Sequence, residues 1–201
     1  MDTERNAEFL DAIKRKLNPQ RLHHSLCVAE SARELAIQYG ADPKKAYTAG
    51  LVHDIMKNTP PDDMLKFFCD NGIMLTKTQR QSPKTWHAVA GEAYLRSRLH
   101  VTDEDILTAV RYHTTGRADM TCLEKVVFIA DFVSADRDYP EVEHMRATAK
   151  RSLEEAIVEG LQFTITELVE AAALVDPDSI GAYNDAVLAV QGRCQKLENR
   201  N

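Results

Sequence analysis

Seven histidines are spread along the chain, His23, His24, His53, His87, His100, His113 and His144. His53 and Asp54 are adjacent in AGLVHDIMK, beside the apolar pair Leu51 and Val52. A carboxylate in such a setting is costly to bury unless it is paired with a cation or bound to a metal. An Arg or Lys partner would satisfy Asp54 as well as a metal would, so the dipeptide alone leaves both readings open. His24 has Val28 one helical turn along the same side, and His87 has Ala90 and Gly91, whose small size leaves room beside the imidazole. His113 follows Ala109 and Val110, and Asp131 lies in VVFIADFVS, the most apolar stretch of the chain. Taken singly, each histidine reads equally as a satisfied core or surface residue. Together with two aspartates in apolar settings they form a candidate metal set. Neutral imidazoles and carboxylates, with no thiolate among them, suit Fe, Mn, Ni or Zn.

The elements that must position these residues read as helices throughout. Sustained alternation and Asn-Gly hairpins are missing; VVFIADFV is the best candidate strand, but its flanks suit a helix better. Phe9, Leu10, Ile13 and Leu17 mark an amphipathic first helix. Pro19 opens a second, with Leu22, Leu26, Ala29 and Leu35 along it and Gly40 just past its end. Asp42-Pro43 reads as N-cap and first position of a third, running to about Lys57. Thr59-Pro60-Pro61 stops it, and a short helix spans Asp62 to about Asp70. Residues 72–84 are the least regular stretch, expected to be a mobile loop. Further helices are expected at about 85–99, 102–114, 121–136, 143–174 and 180–198, with Thr102 and Asp105 forming a variant capping box. The apolar run from Ala171 to Val175 is expected in the core rather than at an interface.

A net charge of −6 argues against a generic nucleic-acid binder. Cys27, Cys69, Cys122 and Cys194 are too scattered for a CxxC site and too few for a disulfide scaffold, so free thiols in a reducing compartment are expected. The N-terminal MDTERNAEFL is too polar for a signal peptide, and no apolar run approaches the roughly 18 residues of a membrane span. A cytoplasmic protein with neither nucleic-acid nor membrane partners is expected.

The order His24, His53-Asp54, Asp131 resembles the HD-domain metal-dependent phosphohydrolase superfamily, and the intervening His87 and His113 resemble its two-metal members. The words RLHHSLCVAESARELA, AGLVHDIMKN, TWHAVAGEAYL, RYHTTGR and EKVVFIADFVSADRDYPEVEHMR are closer still. They resemble the YqeK-type family, the symmetrical bis(5′-nucleosyl)-tetraphosphatases, from about Arg21 to Arg146 and more weakly beyond. One departure is visible: where the family often has Pro-Gly after the ADRDY segment, this chain has Pro140-Glu141.

The resemblance implies an all-α, single-domain helical bundle of HD type over residues 1–201, with a motif core at about 21–146 and C-terminal helices at about 143–201. Those last helices either complete the core or form a surface for a homodimer. The resemblance also implies the ligand set His24, His53, Asp54, His87, His113 and Asp131. Asp54 is then the bridge, with His24, His53 and Asp131 on one ion and His87 and His113 on the other. The family's RxxH register points to His24 rather than His23, which lies about 100° around the same helix. Iron is the favoured metal, with manganese or other divalent ions as substitutes. The implied reaction is hydrolysis of diadenosine tetraphosphate to two ADP, a metal-bound hydroxide attacking a β-phosphorus.

A polyphosphate ligand needs local positive charge. Lys57, one turn beyond His53 and Asp54, is a candidate for steadying phosphates or protonating a leaving group; a snorkelling lysine is the bland alternative. Arg137 in the ADRDY word is the best candidate phosphate clamp, and Arg117 a weaker one. Lys77, Arg80 and Lys84 would close over the substrate or form a solvated basic loop. Two rival functions stand beside the first: an HD-type hydrolase of nucleoside mono- or triphosphates, and a nucleotide-binding domain without turnover.

Overall fold

Capping residues set the first helices where the sequence places them. The computed structural model describes residues 3–198. Helix α1 (Thr3–Lys16) buries Phe9 and Ile13. In α2 (Pro19–Tyr39) the Asn18 side chain accepts from the Arg21 amide at 2.9 Å, and Gly40 ends the helix at φ +76°, a left-handed conformation costly for other residues. Asp42 caps α3 (Pro43–Val52), accepting from the amides of Lys44 and Lys45.

Helix α3 stops at Val52, earlier than the expected Lys57, and a turn carries residues 53–58. The reason is local. His53 Nδ1 donates to the Gly50 carbonyl at 2.6 Å, occupying the acceptor that the Asp54 amide would need to continue the helix.

The α2–α3 pair lies close because its contact is built from small residues. A Cβ on Gly50 would stand 2.9 Å from Ala29 Cα, so only glycine allows this approach. Ala32, Ala36, Ala46 and Ala49 are buried in the same layer.

Helix α4 (Pro61–Asp70) follows the two prolines. The stretch 72–84 is more regular than expected. Thr76 and Gln79 form a capping box on the short α5 (Lys77–Arg80), a single 3-10 turn covers Pro83–Thr85, and the Trp86 indole donates to the Gln79 carbonyl at 2.6 Å. Next come α6 (Trp86–Arg98) and α7 (Glu104–Tyr112). The N-cap of α7 is Asp103, which accepts from the Asp105 amide at 3.1 Å; the expected Thr102 box does not form.

Helix α8 (Cys122–Val133) is the apolar VVFIADFV segment, a helix and not a strand. Val126, Val127, Phe128, Ile129 and Ala130 are all buried, because α8 contacts α2, α3, α7, α9 and α10. Each large apolar side chain so buried contributes roughly 1.5–3 kcal/mol.

The expected helix over 143–174 is two. Helix α9 (Val142–Arg151) and α10 (Leu153–Glu170) meet at Ser152, which caps the latter by accepting from the Glu155 amide at 3.2 Å. Basic residues end α9 and acidic ones begin α10, matching both helix dipoles. Helix α10 completes the core with Leu153, Ala156, Ile157 and Leu161, and α11 (Pro177–Glu198) packs on it. The Ala171–Val175 run lies in the turn after α10, with Ala171 to Leu174 exposed, so the core placement expected for it does not hold.

Among the described residues the architecture is all-α, with no strand and no helix long and apolar enough to cross a membrane. Cys27, Cys69 and Cys122 are free thiols; the side chain of Cys194 lies outside the described residues.

Candidate metal centre

His24, His53, Asp54, His87 and His113 are buried and Asp131 is partly buried; these side chains meet in one cluster. They come from α2, the turn after α3, α6, the end of α7, and α8. The His24 and His53 rings lie 5.3 Å apart, His53 and His113 4.9 Å, and His87 and His113 5.1 Å.

In three of the four imidazoles the second nitrogen is fixed by an acceptor. His24 Nδ1 donates to Asp136 Oδ2 at 2.8 Å, His53 Nδ1 to the Gly50 carbonyl at 2.6 Å, and His113 Nδ1 to the Val110 carbonyl at 2.8 Å. Each of these three is left with an Nε2 lone pair directed into the cluster, the arrangement of metal-ligating histidines. His113, like His53, follows the last residue of its helix and occupies a carbonyl of that last turn, which is why α7 ends at Tyr112.

Two observations test whether the cluster fits a cation. His24 Nε2 and His53 Nε2 are buried with no hydrogen-bond partner. His24 Nε2 nevertheless lies 2.9 Å from Asp131 Oδ1, and a lone pair facing a carboxylate oxygen at that distance calls for a proton or a metal between or beside them. Ligand atoms of His24, His53 and Asp131 lie within 4.8 Å of one another, as do those of His53, Asp54 and His113. Asp54 faces both sides of the cluster. Its Oδ2 is 3.6 Å from His53 Nε2, and its Oδ1 is 3.2 Å from His87 Nε2 and 3.6 Å from His113 Nε2. The residues fit divalent metal.

Electrostatics agree with this donor set at His53, His87, Asp54 and Asp131, whereas at His24 burial lowers the imidazole but Asp131 and Asp136 outweigh it and raise it. Burial pushes His53 and His87 down to about 4, with Asp54 opposing the shift only in part, so both stay neutral and able to coordinate. Burial works to raise the Asp54 carboxyl, but His53, His113 and His87 outweigh it and hold it well below the usual carboxylate range. Asp131 is lowered in the same way by His24, His53 and Arg137 against its burial.

Lys57 and Arg137 reach the cluster. Lys57 Nζ is 3.2 Å from His87 Nε2, and burial, resisted by Asp54, lowers its pKa from the ordinary lysine value. Arg137 donates through Nε to the Asp131 carbonyl at 2.8 Å and through Nη2 to Asp131 Oδ1 at 2.5 Å.

Arg117 is not brought here. Its guanidinium forks onto the buried Glu124 carboxylate at 2.6 and 2.9 Å, and it lines a separate groove with Met120 and Asp185. Its expected phosphate role is withdrawn, because those two bonds commit it to the start of α8.

Lys84 lines a cleft of about 460 Å³ beside Lys57, Trp86 and His87. Arg80 instead donates to the Leu75 carbonyl within its own loop. His23 points outward, 3.6 Å from Cys27 Sγ, and His100 is exposed.

Two residues of the centre escaped the sequence reading. Arg21 Nη1 lies 3.2 Å from Asp54 Oδ2 and supplies the cationic partner considered for that carboxylate. Asp136 orients His24 and is itself held by the Ser134 hydroxyl at 2.7 Å. Both belong to words already singled out, the RxxH register and the ADRDY segment. Arg146, at the end of the longest word, donates to the carbonyls of Val133, Ser134 and Arg137 and so fixes the loop that carries Asp136.

Comparison with known proteins follows the same residues. The HD domain family model matches residues 21–136. A Bacillus subtilis protein named bis(5′-nucleosyl)-tetraphosphatase, symmetrical, is 36% identical over 177 residues, 88% of this chain and 95% of its own. A Staphylococcus aureus protein of the same name is 33% identical over 180 residues, 85% of this chain and 89% of its own. A Clostridium acetobutylicum crystal structure, described as a predicted HD superfamily hydrolase involved in NAD metabolism, superposes with a TM-score of 0.88 at 30% identity, covering 92% of this chain and 97% of that one.

Proposed function

The chain belongs to the HD domain family, and from that premise we propose that it is a metal-dependent hydrolase cleaving diadenosine tetraphosphate symmetrically into two ADP. The observation that carries this reading is the convergence of four imidazoles and two carboxylates in one cluster, with His53 Nε2 buried and without a hydrogen-bond partner and His24 Nε2 facing the Asp131 carboxylate. The names of the relatives supply the substrate class.

His24, His53 and Asp131 would hold one ion, and His87 and His113 a second, with the two oxygens of Asp54 shared between them. When bound, divalent ions supply positive charge to phosphoryl oxygens and lower the pKa of water from 15.7 to about 7. Iron is the metal we assign, with manganese as a substitute.

The chain's own residues do the rest. Asp136 and the Gly50 and Val110 carbonyls keep the Nδ1 protons of His24, His53 and His113 in place, so that Nε2 stays the ligand atom. Arg21 holds Asp54 from outside the cluster. Arg137 fixes Asp131 with Nε and Nη2, and its Nη1 takes a phosphate oxygen. Lys57, its ammonium made more acidic by burial, hands a proton from Nζ to the departing ADP oxygen.

The test is product analysis of the metal-loaded protein with diadenosine tetraphosphate. ADP as sole product is expected. AMP plus ATP, or no turnover with iron or manganese supplied, overturns the reading. A mononucleotide preferred a hundredfold in kcat/KM, about 2.7 kcal/mol of transition-state preference, would instead indicate a different HD-type phosphohydrolase.

A further inference from the structure

We propose that Asn58 is a positioning residue for the metal centre. Its side chain fastens the turn that carries Asp54 and Lys57 to the first turns of α2, which carry Arg21 and His24. The inference rests on the metal reading above and deepens it.

Residues 53–58 form a turn outside any helix. Its internal bonds run from amides to carbonyls three residues back: Ile55 to Val52 at 3.1 Å, Lys57 to Asp54 at 2.8 Å and Thr59 to Met56 at 3.1 Å. Bonds of this span have poorer geometry than those of an α-helix, so the turn is held in place from outside. The end of α1 and the start of α2 do this at every second residue. Arg21 Nη1 reaches Asp54 Oδ2 at 3.2 Å, Lys16 Nζ reaches Met56 Sδ at 3.5 Å, and the Asn18 amide donates to Asn58 Oδ1 at 2.8 Å. The Asn58 bond is the shortest of the three.

The chemistry of the α2 start shows why an outside acceptor is needed. Asn18 is the N-cap, and its side chain accepts from the Arg21 amide at 2.9 Å. In a complete capping box the third helical residue returns the bond, its side chain accepting from the N-cap amide. Gln79 does this for Thr76 on α5, and Glu124 for Thr121 on α8. The third residue of α2 is Arg21, whose guanidinium has only donors and is turned to Asp54. Asn58 supplies the missing acceptor from another element. That substitution lets Arg21 hold the shared carboxylate and closes a ring: Asn58 to Asn18, Asn18 to Arg21, Arg21 to Asp54, and the turn back to Asn58. Asp54 is thereby fixed twice, through its carboxylate and through its backbone. Asn58 is itself exposed, so replacing it leaves the core packing alone.

The experiment is calorimetric titration of the apoprotein with manganese for the native chain, Asn58→Ala and Asn58→Asp, with the Tm of each apoprotein measured alongside. Asn58→Ala is expected to lose about fivefold or more in manganese affinity. Its Tm is expected to stay within about 2 °C of the native value. Asn58→Asp keeps the acceptor oxygen and is expected to bind within about twofold of the native affinity. Unchanged manganese affinity in Asn58→Ala overturns the proposal. An equal loss in Asn58→Asp also overturns it, because the acceptor is then not what matters. A larger fall in Tm for Asn58→Ala does so too, because the whole fold has then loosened. The metal reading fails at a different point: no uptake of manganese by the native chain removes both. Nucleotide is absent from the titration, so lack of turnover leaves the role of Asn58 standing, whereas symmetric hydrolysis with unaltered manganese binding in Asn58→Ala removes it.

Discussion

Asp54 has only 2% of its surface exposed, and His53, His87, His113 and Arg21 all face it. Asp54→Ala therefore deletes a carboxylate that both halves of the cluster share. The expected outcome is loss of bound metal by elemental analysis and a fall in kcat/KM of at least about a thousandfold, some 4 kcal/mol. Undiminished metal stoichiometry in that variant contradicts the shared role. Asp136 acts one step removed, through His24 Nδ1. Asp136→Ala should weaken metal affinity or activity by roughly 10- to 100-fold, and Asp136→Asn, which keeps an acceptor oxygen, by less. A titration of apoprotein with manganese distinguishes the two. At this scale most of the centre was legible, since each of the six candidate ligands sits in an apolar setting that makes its polarity conspicuous. Arg21 and Asp136 were not, because a charged residue among other charged residues carries no such contrast until its partner is known. Arg117 misled for the complementary reason: its spacing from His113 matched a helical turn, but the helix ends at Tyr112 and Glu124 was waiting.

The α2–α3 pair brings His24 and His53 together, and Gly50 sets the distance between the helices. A methyl group at Gly50 meets Ala29 Cα at 2.9 Å and the Val28 carbonyl at 3.0 Å, backbone atoms that cannot rotate aside. Gly50→Ala should cost about 1–3 kcal/mol, lowering Tm by roughly 2–4 °C for each kcal/mol in a chain of this size. Metal affinity should fall with it, because the two imidazoles are driven apart. An unchanged Tm together with unchanged metal affinity would show that the contact is not tight. Helix starts were readable from Asn18-Pro19 and Asp42-Pro43, whose chemistry is local. Helix ends at Val52 and Tyr112 were not, because a histidine side chain folding back on its own last turn decides them. Glu141 shows the same division: its departure from Pro-Gly was visible, whereas the retention of the turn in a left-handed conformation was not.

For the whole molecule, the cluster makes stability depend on metal and on pH. In chelator-treated protein burial holds His53 and His87 down to about 4, against about 6.5 in an unfolded chain. Between those values the unfolded state binds more protons, so stability is full above about 6.5 and is lost as pH falls towards 4. Each group contributes at most about 1.4 kcal/mol per pH unit across that window. His24 works in the opposite sense: burial lowers it, but Asp131 and Asp136 more than compensate and raise it, so its contribution is present in acid and lost as pH rises through that raised value. Two groups outweigh one, and thermal unfolding of the chelated protein should show a lower Tm at pH 5 than at pH 7. A flat or reversed profile would mean that the buried imidazoles are not held neutral. Restoring metal at a hundred times its Kd should add about 2.7 kcal/mol and raise Tm at pH 7.

The residue types, their order and their apolar surroundings are properties of the chain itself, and they were enough to determine an all-helical protein with a histidine–aspartate centre of HD type. Helical periodicity and capping are local, so a single sequence displays them. The partners of each charge were decided only by the tertiary structure, since Arg21 with Asp54, Asp136 with His24 and Arg117 with Glu124 pair across different elements or past a helix end. A groove beside the cluster, lined by Asp131, Phe132 and Arg137, was decided there as well. It exists because Ser152 breaks one expected helix into α9 and α10, and the angle between two helices is set by what they bury, which no local pattern of residues records.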